Sequence, residues 1–242
     1  MSFFDKIKKF FKKHIAYEKW TCNACLKENF NGKFVCDDCL EKLRVIGAKS
    51  CAHCGRELLN SQNYCTTCKD KLLSTTMGKS VFTYQDTAGA LVRRFKYNGA
   101  KYMADYFAKE MSNLYFKYYF NTDYLTFVPM TKRAFYKRGY NQSELLANAL
   151  SKIVNVQVLC VLEKQKNTKR QAKLGRKDRI KNLEHAFKVV DKKLVKGKSF
   201  TIIDDVTTTG STIEVIAKLL LKHGAKEVKY LTVASVPPSC GY

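Results

Sequence analysis

The 242-residue chain lacks any run of the roughly 18 to 20 consecutive apolar residues that a membrane-spanning helix requires. Residues 1–19 also lack the uninterrupted apolar core of a secretion signal, because lysines interrupt the apolar side chains. Acidic residues are scarce: 21 Asp and Glu stand against 44 Lys and Arg, which gives a formal net charge of +23. These features predict a soluble, cytoplasmic protein with polyanionic partners, such as nucleic acid, a membrane surface or a phosphorylated substrate.

The basic surplus is concentrated in the second half of the chain. Residues 131–198 contain 19 Lys and Arg but only 5 Asp and Glu. A lysine-rich composition that merely decorates solvated faces is the alternative to a polyanion-binding surface. No Walker phosphate loop is present, because Gly78-Lys79-Ser80 has Leu73 where that loop requires a glycine. A phosphate site must therefore be built from another motif.

One motif places carboxylates and hydroxyls between a buried strand and a helix. An apolar strand is predicted over Phe200 to Asp205, ending in the two carboxylates, and a helix follows. The apolar face of that helix consists of Ile213, Ile216, Ala217, Leu220 and Leu221. Gly224 is predicted to end the helix, and Ser211 and Glu214 have the spacing of a capping box at its start.

The turn between this strand and helix is predicted to bind a phosphate group. Free backbone N–H groups and the positive end of the helix dipole both favour an anion there. The two carboxylates can accept ribose hydroxyls or hold Mg²⁺. The candidate residues for a sugar phosphate and its metal are Asp204, Asp205, Thr207, Thr208, Thr209, Gly210, Ser211 and Thr212. An ordinary strand-to-helix loop with a solvated cap is the alternative.

Eight of the ten cysteines form four Cys-x-x-Cys pairs. Each half of this region has one pair, ten residues and a second pair, and the second half repeats the first with a shift of 29 residues. Two such pairs complete the tetrahedral set that structural Zn²⁺ prefers, so two zinc ions are expected. Their ligands are Cys22, Cys25, Cys36, Cys39, Cys51, Cys54, Cys65 and Cys68. A disulfide framework is the alternative, disfavoured by the missing secretion signal.

The spacing leaves the pairing of the four Cys-x-x-Cys units open. Sequential pairing puts residues 22–39 on one zinc and residues 51–68 on the other, and an interleaved cross-brace is the alternative. Because all positions are filled by cysteine, no site remains for a catalytic water, and the metals should be structural. Aromatic and basic residues of this region could bind nucleic acid or simply form the small core of the module.

Three segments are predicted: a basic amphipathic segment at 1–19, a double zinc ribbon at 20–74 and a larger domain at 75–242. The first segment has apolar residues on one helical face and lysines on the other, which suits packing on the protein's own surface or contact with an anionic membrane. In the larger domain, strands are predicted over 77–84 and 125–129, and helices over 89–97 and 102–119.

Several segments resemble known families. Residues 200–212 resemble the signature of the type I phosphoribosyltransferases, which bind phosphoribosyl pyrophosphate. Residues 128–147 are similar to the segment of the ComF family (the competence protein F group) that reads Arg-Gly-Phe-Asn-Gln-Ser-Glu-Leu-Leu-Ala, with only Tyr140 replacing the phenylalanine. Thr168 to Leu174 resembles the same family's Thr-x-x-Gln-x-x-Leu loop. With Arg94 to Tyr97 and the cysteines, the resemblance covers about residues 20–235.

The ComF resemblance implies an α/β protein with a type I phosphoribosyltransferase fold, a parallel sheet flanked by helices, preceded by a small Cys₄ double zinc ribbon. It also implies a pyrophosphate loop at Pro129 to Arg133 and a mobile hood over the substrate at Thr168 to Asn182. The basic side chains of the loop, of the residues that follow it and of the hood could bind pyrophosphate or a nucleic-acid backbone. These residues are Lys132, Arg133, Lys137, Arg138, Arg170 and Arg179. Purine-salvage members of the superfamily carry a general-base Asp where this chain has Thr208, which cannot accept a proton near neutral pH.

Two functions of different classes follow. By resemblance, the first is a competence protein that handles single-stranded DNA during natural transformation, beside a helicase-like protein of the DNA-uptake machinery. Its phosphoribosyltransferase-like domain would bind phosphoribosyl pyrophosphate or ribose 5-phosphate with Mg²⁺. The alternative is an active phosphoribosyltransferase of nucleotide metabolism that transfers ribose 5-phosphate to an unknown acceptor. A zinc-stabilised scaffold with a vestigial pocket is a third interpretation.

Overall fold

The structure, a computed structural model, describes residues 20–237 except 59, 61, 70–72, 119 and 166–185. The helices are α1 (Asp37–Glu41), α2 (Asp86–Tyr97), α3 (Met103–Lys117), α4 (Lys132–Arg138), α5 (Gln142–Val154) and α6 (Ser211–Lys222). The strands are β1 (Met77–Thr83), β2 (Tyr124–Phe127), β3 (Leu162–Lys164), β4 (Phe187–Val189), β5 (Ser199–Thr207) and β6 (Glu227–Ser235). The amphipathic segment 1–19 and the expected hood at 168–182, with Arg170 and Arg179, lie outside the described residues.

Four parallel strands form the central sheet in the order β1-β6-β5-β2. Strand β5 lies inside this sheet, and its first five residues, Ser199 to Ile203, are all buried. The short strands β3 and β4 form a separate antiparallel pair. Because the strands of the central sheet are parallel, their carboxyl ends meet at one edge, which is where open α/β sheets bind ligands.

Helices cover both faces of the central sheet. On one face, buried residues of α2, α3 and α5 pack with Ile203 and Leu231; they include Leu91, Phe95, Phe107, Met111, Leu146 and Leu150. On the other face, α6 packs with Ile202 and Val228 through Ile213, Ile216, Ala217 and Leu220. The alternation of Ile202 and Ile203 between the two cores follows from the two-residue period of a strand. The predicted α/β fold with flanking helices is confirmed.

The predicted elements agree with the structure except at their ends. Strand β1 confirms the strand expected over 77–84, and α3 confirms the helix expected over 102–119. Helix α2 begins at Asp86, earlier than expected, and β2 ends at Phe127, before Pro129, which has no backbone N–H to pair. Within the described residues, no helix is long and apolar enough to cross a membrane.

The two zinc ribbons have the same local structure, as the internal repeat predicts. An antiparallel bridge joins Thr21 to Glu28 in the first ribbon, and its counterpart joins Ser50 to Glu57 in the second. The corresponding turn positions, Leu26 and Gly55, both have a left-handed backbone with φ of +67° and +66°. Each bridge has the same 29-residue offset as the cysteines, so the duplicated sequence forms a duplicated fold.

The segment between the ribbons covers the outer edge of the central sheet. Val45 forms an antiparallel bridge with Phe82 of β1, and Ile46 N–H donates to the carbonyl oxygen of Val81 at 2.9 Å. On the other side of this bridge, Thr83 N–H donates to the carbonyl oxygen of Arg44 at 3.0 Å. Pairing of this kind protects an edge strand from unwanted association. The predicted boundary at residues 74 and 75 falls just before β1.

Candidate functional site

The candidate site begins where β5 passes into the loop that precedes α6. Gly210 is the N-cap of α6 and has a φ of +73°, a left-handed conformation that glycine adopts without steric cost. The hydroxyls of Thr209 and Ser211 lie 2.8 Å apart and are hydrogen-bonded. Hydroxyl groups and the amino terminus of a twelve-residue helix therefore lie together at the carboxyl edge of the sheet.

The predicted capping box at the start of α6 is wrong. The cap is Gly210, which has no side chain, and Ser211 is already the first residue of the helix. The carboxylate of Glu214 is buried and accepts hydrogen bonds from Ser74, from its N–H at 3.2 Å and from its hydroxyl at 2.9 Å. The Glu214 carboxylate therefore binds Ser74, which precedes β1, and not the backbone at the start of its own helix, as the capping box had predicted.

The two carboxylates at the end of β5 have different partners. Asp205 is buried, and its Oδ1 lies 2.9 Å from Nζ of Lys96 on α2. Asp204 Oδ1 accepts hydrogen bonds from the Ser143 hydroxyl at 2.7 Å and from the backbone N–H of Asp205 at 2.9 Å. The ends of α2 and α5 thus fix the carboxylates of β5.

Electrostatics distinguish these groups further. Burial and the charge of Asp205 raise the pKa of Asp204 to about 7, although Ser143 and Lys96 act in the opposite direction. Burial alone would lower the pKa of Lys96, but the charge and hydrogen bond of Asp205 outweigh it and raise that pKa. Asp204 therefore exchanges its proton near neutral pH, and a cation that binds it competes with that proton.

Lys96 is a site residue that analysis of the sequence missed. From the sequence it was assigned no role beyond its place in the predicted helix over 89–97 and in the ComF-like segment, yet its side chain reaches the end of β5. Its place in the ComF-like segment Arg94 to Tyr97 was the available signal. The ion pair with Asp205 joins residues too far apart in sequence for local spacing to relate them.

The expected pyrophosphate loop lies beside the carboxylates. After β2, Val128 N–H donates to the carbonyl oxygen of Ile203 at 3.1 Å, so Pro129 to Thr131 follow the strand next to β5. Thr131 caps α4 by accepting a hydrogen bond from Ala134 N–H at 3.3 Å. The structure thus brings residues 129–133 and the Asp204-to-Thr212 segment to the same edge of the sheet.

Helix α4 presents its side chains to solvent, and none of its residues is buried. Lys132, Arg133 and Lys137 are exposed. Arg138 donates to Oε1 of Gln142 at 2.7 Å, and its guanidinium carbon lies 5.2 Å from the ring centroid of Tyr97. Two exposed aromatic residues lie between these charges: Phe135 is 42% exposed and Tyr136 is 84% exposed.

The cysteines form two sequential sets, which settles the pairing. Cys22, Cys25, Cys36 and Cys39 form one cluster, and Cys51, Cys54, Cys65 and Cys68 form the other, with the sulfur atoms of each cluster within 4.8 Å of one another. The Sγ atoms of Cys25 and Cys36 are 3.8 Å apart, and those of Cys54 and Cys65 are 3.6 Å apart. Tetrahedral bonds of about 2.3 Å place two sulfur ligands roughly 3.8 Å apart, so both clusters fit structural zinc.

Backbone N–H groups around the first cluster favour the thiolate form of Cys22. Ala24 and Cys36 donate to the Cys22 sulfur at 3.4 and 3.3 Å. Burial raises the pKa of Cys22, but backbone hydrogen bonds outweigh it and lower that pKa to about 6. A thiolate is the form that binds zinc.

The second ribbon reaches the loop that precedes α6, a contact that analysis of the sequence did not predict. The guanidinium of Arg56 donates a hydrogen bond to the carbonyl oxygen of Thr208. These residues are 152 positions apart, so no local pattern relates them.

No general base was predicted at the loop, and Thr208, at the position where purine-salvage enzymes carry Asp, is exposed. Of the histidines that the structure describes, His223 lies at the carboxyl end of α6, with Nδ1 2.8 Å from the carbonyl oxygen of Leu219. His53 bonds to the Thr75 hydroxyl at 3.1 Å, and burial lowers its pKa. His185 lies outside the described residues.

A parallel sheet whose central strand ends in two carboxylates and a hydroxyl-rich loop, preceded by a Cys₄ double ribbon, defines a type I phosphoribosyltransferase fold joined to zinc ribbons. Comparison with protein families agrees with this class. Residues 141–239 match the phosphoribosyl transferase domain, and residues 17–69 match the double zinc ribbon domain.

Characterised relatives identify the family. Competence protein F of Haemophilus influenzae is 30% identical over 220 residues, covering 86% of this chain and 92% of that protein. Competence protein ComFC of Bacillus subtilis is 28% identical over 197 residues, covering 78% of this chain and 79% of that protein. DNA utilization protein YhgH of Escherichia coli is 28% identical over 221 residues, covering 87% and 93%, respectively. The chain belongs to the ComF family.

Proposed function

We propose that this protein handles single-stranded DNA in the cytoplasm during DNA uptake and binds phosphoribosyl pyrophosphate or ribose 5-phosphate with Mg²⁺. The observation that carries the proposal is the convergence, at one sheet edge, of two carboxylates, a hydroxyl-rich loop at a helix amino terminus and a basic, aromatic helix. The names of the relatives, two competence proteins and a DNA utilization protein, support the DNA role. A helicase-like protein of the uptake machinery is the proposed protein partner.

The ligand site is proposed from the chemistry of the β5 end. Asp204 and Asp205 offer the hard oxygen atoms that suit Mg²⁺ and ribose hydroxyls. Residues 207–212 would hold the 5-phosphate through backbone N–H groups, hydroxyls and the helix dipole. Lys132 and Arg133 would meet the pyrophosphate through charge-assisted hydrogen bonds. Bound Mg²⁺ would supply positive charge that neutralises the phosphates, and the ion pair with Lys96 would hold the Asp205 carboxylate in place.

The DNA surface is proposed on α4. Single strands are bound by basic side chains that follow the backbone and by aromatic rings on which bases stack. Helix α4 offers both, because exposed Phe135 and Tyr136 lie between the basic residues at its two ends. Because the helix buries no residue, its substitutions should alter binding without unfolding the domain.

Fluorescence anisotropy of labelled single-stranded DNA across a salt series tests the proposal. We expect Tyr136→Ala to weaken binding by about 1–3 kcal/mol, the usual value of one stacked base. Phe116→Ala is the matched control, because Phe116 is 55% exposed at the end of α3, which precedes the amino end of β2, whereas α4 follows the carboxyl end of that strand. We expect Lys137→Ala to reduce the slope of log affinity against log salt by about 0.7, the value for one phosphate contact on a single strand.

The same titrations with saturating phosphoribosyl pyrophosphate and Mg²⁺ test the relation between the two ligands. A shift in DNA affinity would support one combined mechanism. Absence of salt-dependent DNA binding would refute the DNA role. In that case the alternative, an active transferase of ribose 5-phosphate, is favoured by the intact acidic pair and loop. Pyrophosphate release in the presence of candidate acceptor bases would measure that activity directly.

A further inference from the structure

The two zinc ribbons differ at one turn position in a way that their duplication does not require. Leu26 of the first ribbon is 46% exposed. Its counterpart, Gly55, is buried, and a Cβ on it would lie 2.5 Å from Cα of Lys79 and 2.7 Å from the carbonyl oxygen of Gly78. Only a glycine therefore permits the turn of the second ribbon to pack directly on the backbone of β1.

Hydrogen bonds hold the second ribbon in this position. Gly78 N–H donates to the carbonyl oxygen of His53 at 2.6 Å, and the buried hydroxyl of Tyr230 donates to the carbonyl oxygen of Cys54 at 3.0 Å. These carbonyl groups belong to the turn that carries two ligands of the second cysteine cluster. The geometry of this cluster is therefore tied to strands β1 and β6.

The residue after Gly55 contacts the loop at the candidate ligand site. Arg56 donates to the Thr208 carbonyl oxygen, and its Nε is buried without a hydrogen-bond partner in the part of the chain that the structure describes. The loop residues 207–212 include no basic side chain, so Arg56 brings a positive charge to them from another module. Its counterpart in the first ribbon, Lys27, is exposed.

A second contact joins the ribbon side to the same loop. Ser74 donates two hydrogen bonds to Glu214 in the first turn of α6. The second ribbon and the loop also line one shared pocket, whose residues include Arg56, Thr209, Gly210 and Glu214. The ribbon and the loop are therefore neighbours along this pocket as well as at their hydrogen bonds.

We propose that the second cysteine cluster is a regulatory zinc site for the phosphoribosyl ligand, whereas the first cluster is not. Zinc bound by Cys51, Cys54, Cys65 and Cys68 would hold the Gly55–Arg56 turn on β1, and Arg56 would hold the loop in its ligand-binding conformation. Loss of this zinc releases Arg56 and weakens phosphate binding. The inference depends on the proposed phosphoribosyl ligand, and Arg56 acts as a positioning residue.

Thermodynamic linkage allows the proposal to be tested by measuring the binding of either zinc or the phosphoribosyl ligand. If zinc in the second cluster strengthens ligand binding, the ligand must strengthen zinc binding by the same factor. The ligand should therefore raise the zinc affinity of one of the two clusters and leave that of the other unchanged.

The first experiment is calorimetry with ribose 5-phosphate on the full-length, zinc-loaded protein. We expect Arg56→Ala to weaken binding by roughly tenfold or more, the usual effect of losing a hydrogen bond from a charged group. Arg56→Lys should recover part of the affinity, because it keeps the charge but not the fork of donors. Lys27→Ala, the matched substitution in the first ribbon, should bind like the wild type.

The second experiment measures the zinc affinity of both clusters by equilibrium competition with a colorimetric chelator, with and without ribose 5-phosphate. We expect the ligand to raise the zinc affinity of one cluster several-fold in the wild type and in Lys27→Ala, but not in Arg56→Ala. Two results would each overturn this inference alone: Arg56→Ala binds ribose 5-phosphate with the affinity of the wild type, or the bound ligand leaves the zinc affinities of both clusters unchanged. No ribose 5-phosphate or phosphoribosyl pyrophosphate binding by the wild type would instead overturn the proposed ligand site.

Discussion

Replacing Gly55 by alanine should destabilise the protein at the contact between the second ribbon and the sheet. Gly55 has a φ of +66°, and its new Cβ would meet Lys79 Cα and the Gly78 carbonyl oxygen at 2.5 and 2.7 Å. Both are backbone atoms, so no side-chain rotation relieves the contact. The left-handed backbone costs an alanine roughly 1–2 kcal/mol, and overpacking adds about 1–3 kcal/mol. We therefore expect the free energy of unfolding to fall by about 2–5 kcal/mol.

The matched control is Gly32→Ala in the first ribbon. Gly32 has a similar φ of +69°, but a Cβ there meets nothing within 4 Å. This variant should therefore lose only the backbone contribution of about 1–2 kcal/mol. Urea unfolding of both zinc-loaded variants, followed by circular dichroism, measures the difference that belongs to the docked ribbon. Equal losses in the two variants would refute direct packing of the second ribbon on β1.

Three further predictions concern the metals and the carboxylates. Metal analysis should find two zinc ions per chain, and Cys25→Ser and Cys54→Ser should each lose a different one of them, so that the double variant binds none, because Cys25 and Cys54 belong to separate clusters. Since the pKa of Asp204 is raised to about 7, Mg²⁺-dependent binding of phosphoribosyl pyrophosphate should weaken about tenfold between about pH 8 and pH 6, as the carboxylate takes up a proton. Titrations without Mg²⁺ correct for protonation of the ligand's own phosphates. A Mg²⁺ contribution to binding that does not change with pH would contradict the assignment. Lys96→Met leaves the buried Asp205 without its ion pair and should lower the free energy of unfolding by about 1–3 kcal/mol, whereas the exposed Lys192→Met should change it little in the same urea assay.

Much of the fold could be predicted from local patterns. The apolar run Phe200 to Ile203 is buried because a strand inside a parallel sheet has both faces covered. The apolar face of α6 and its end at Gly224, where φ is +88°, follow from helical periodicity and from the conformational freedom of glycine. The cysteine spacing likewise predicted two metal clusters, because two thiolates separated by two residues can reach one ion.

Predictions from the sequence were wrong or incomplete where a side chain could bind either a local partner or one far away in the sequence. Ser211 and Glu214 have capping-box spacing, but Ser74 supplies donors for the Glu214 carboxylate and Gly210 supplies the cap. The cysteine spacing left interleaved pairing open beside sequential pairing, and the structure shows that each repeat brings its own four cysteines together.

The sequence by itself determined the elements, the duplicated ribbons, the acidic pair and the hydroxyl-rich loop, because hydrophobic periodicity and short-range ligand spacing are local properties. Only the tertiary structure decided which groups meet at the edge of the sheet: Lys96 with Asp205, Ser143 with Asp204, and Arg56 with Thr208. Each of these contacts joins elements whose relative position depends on how whole faces pack. Spacing along the chain contains no information about that packing, so the contact of the second ribbon with the loop before α6 became visible only in three dimensions.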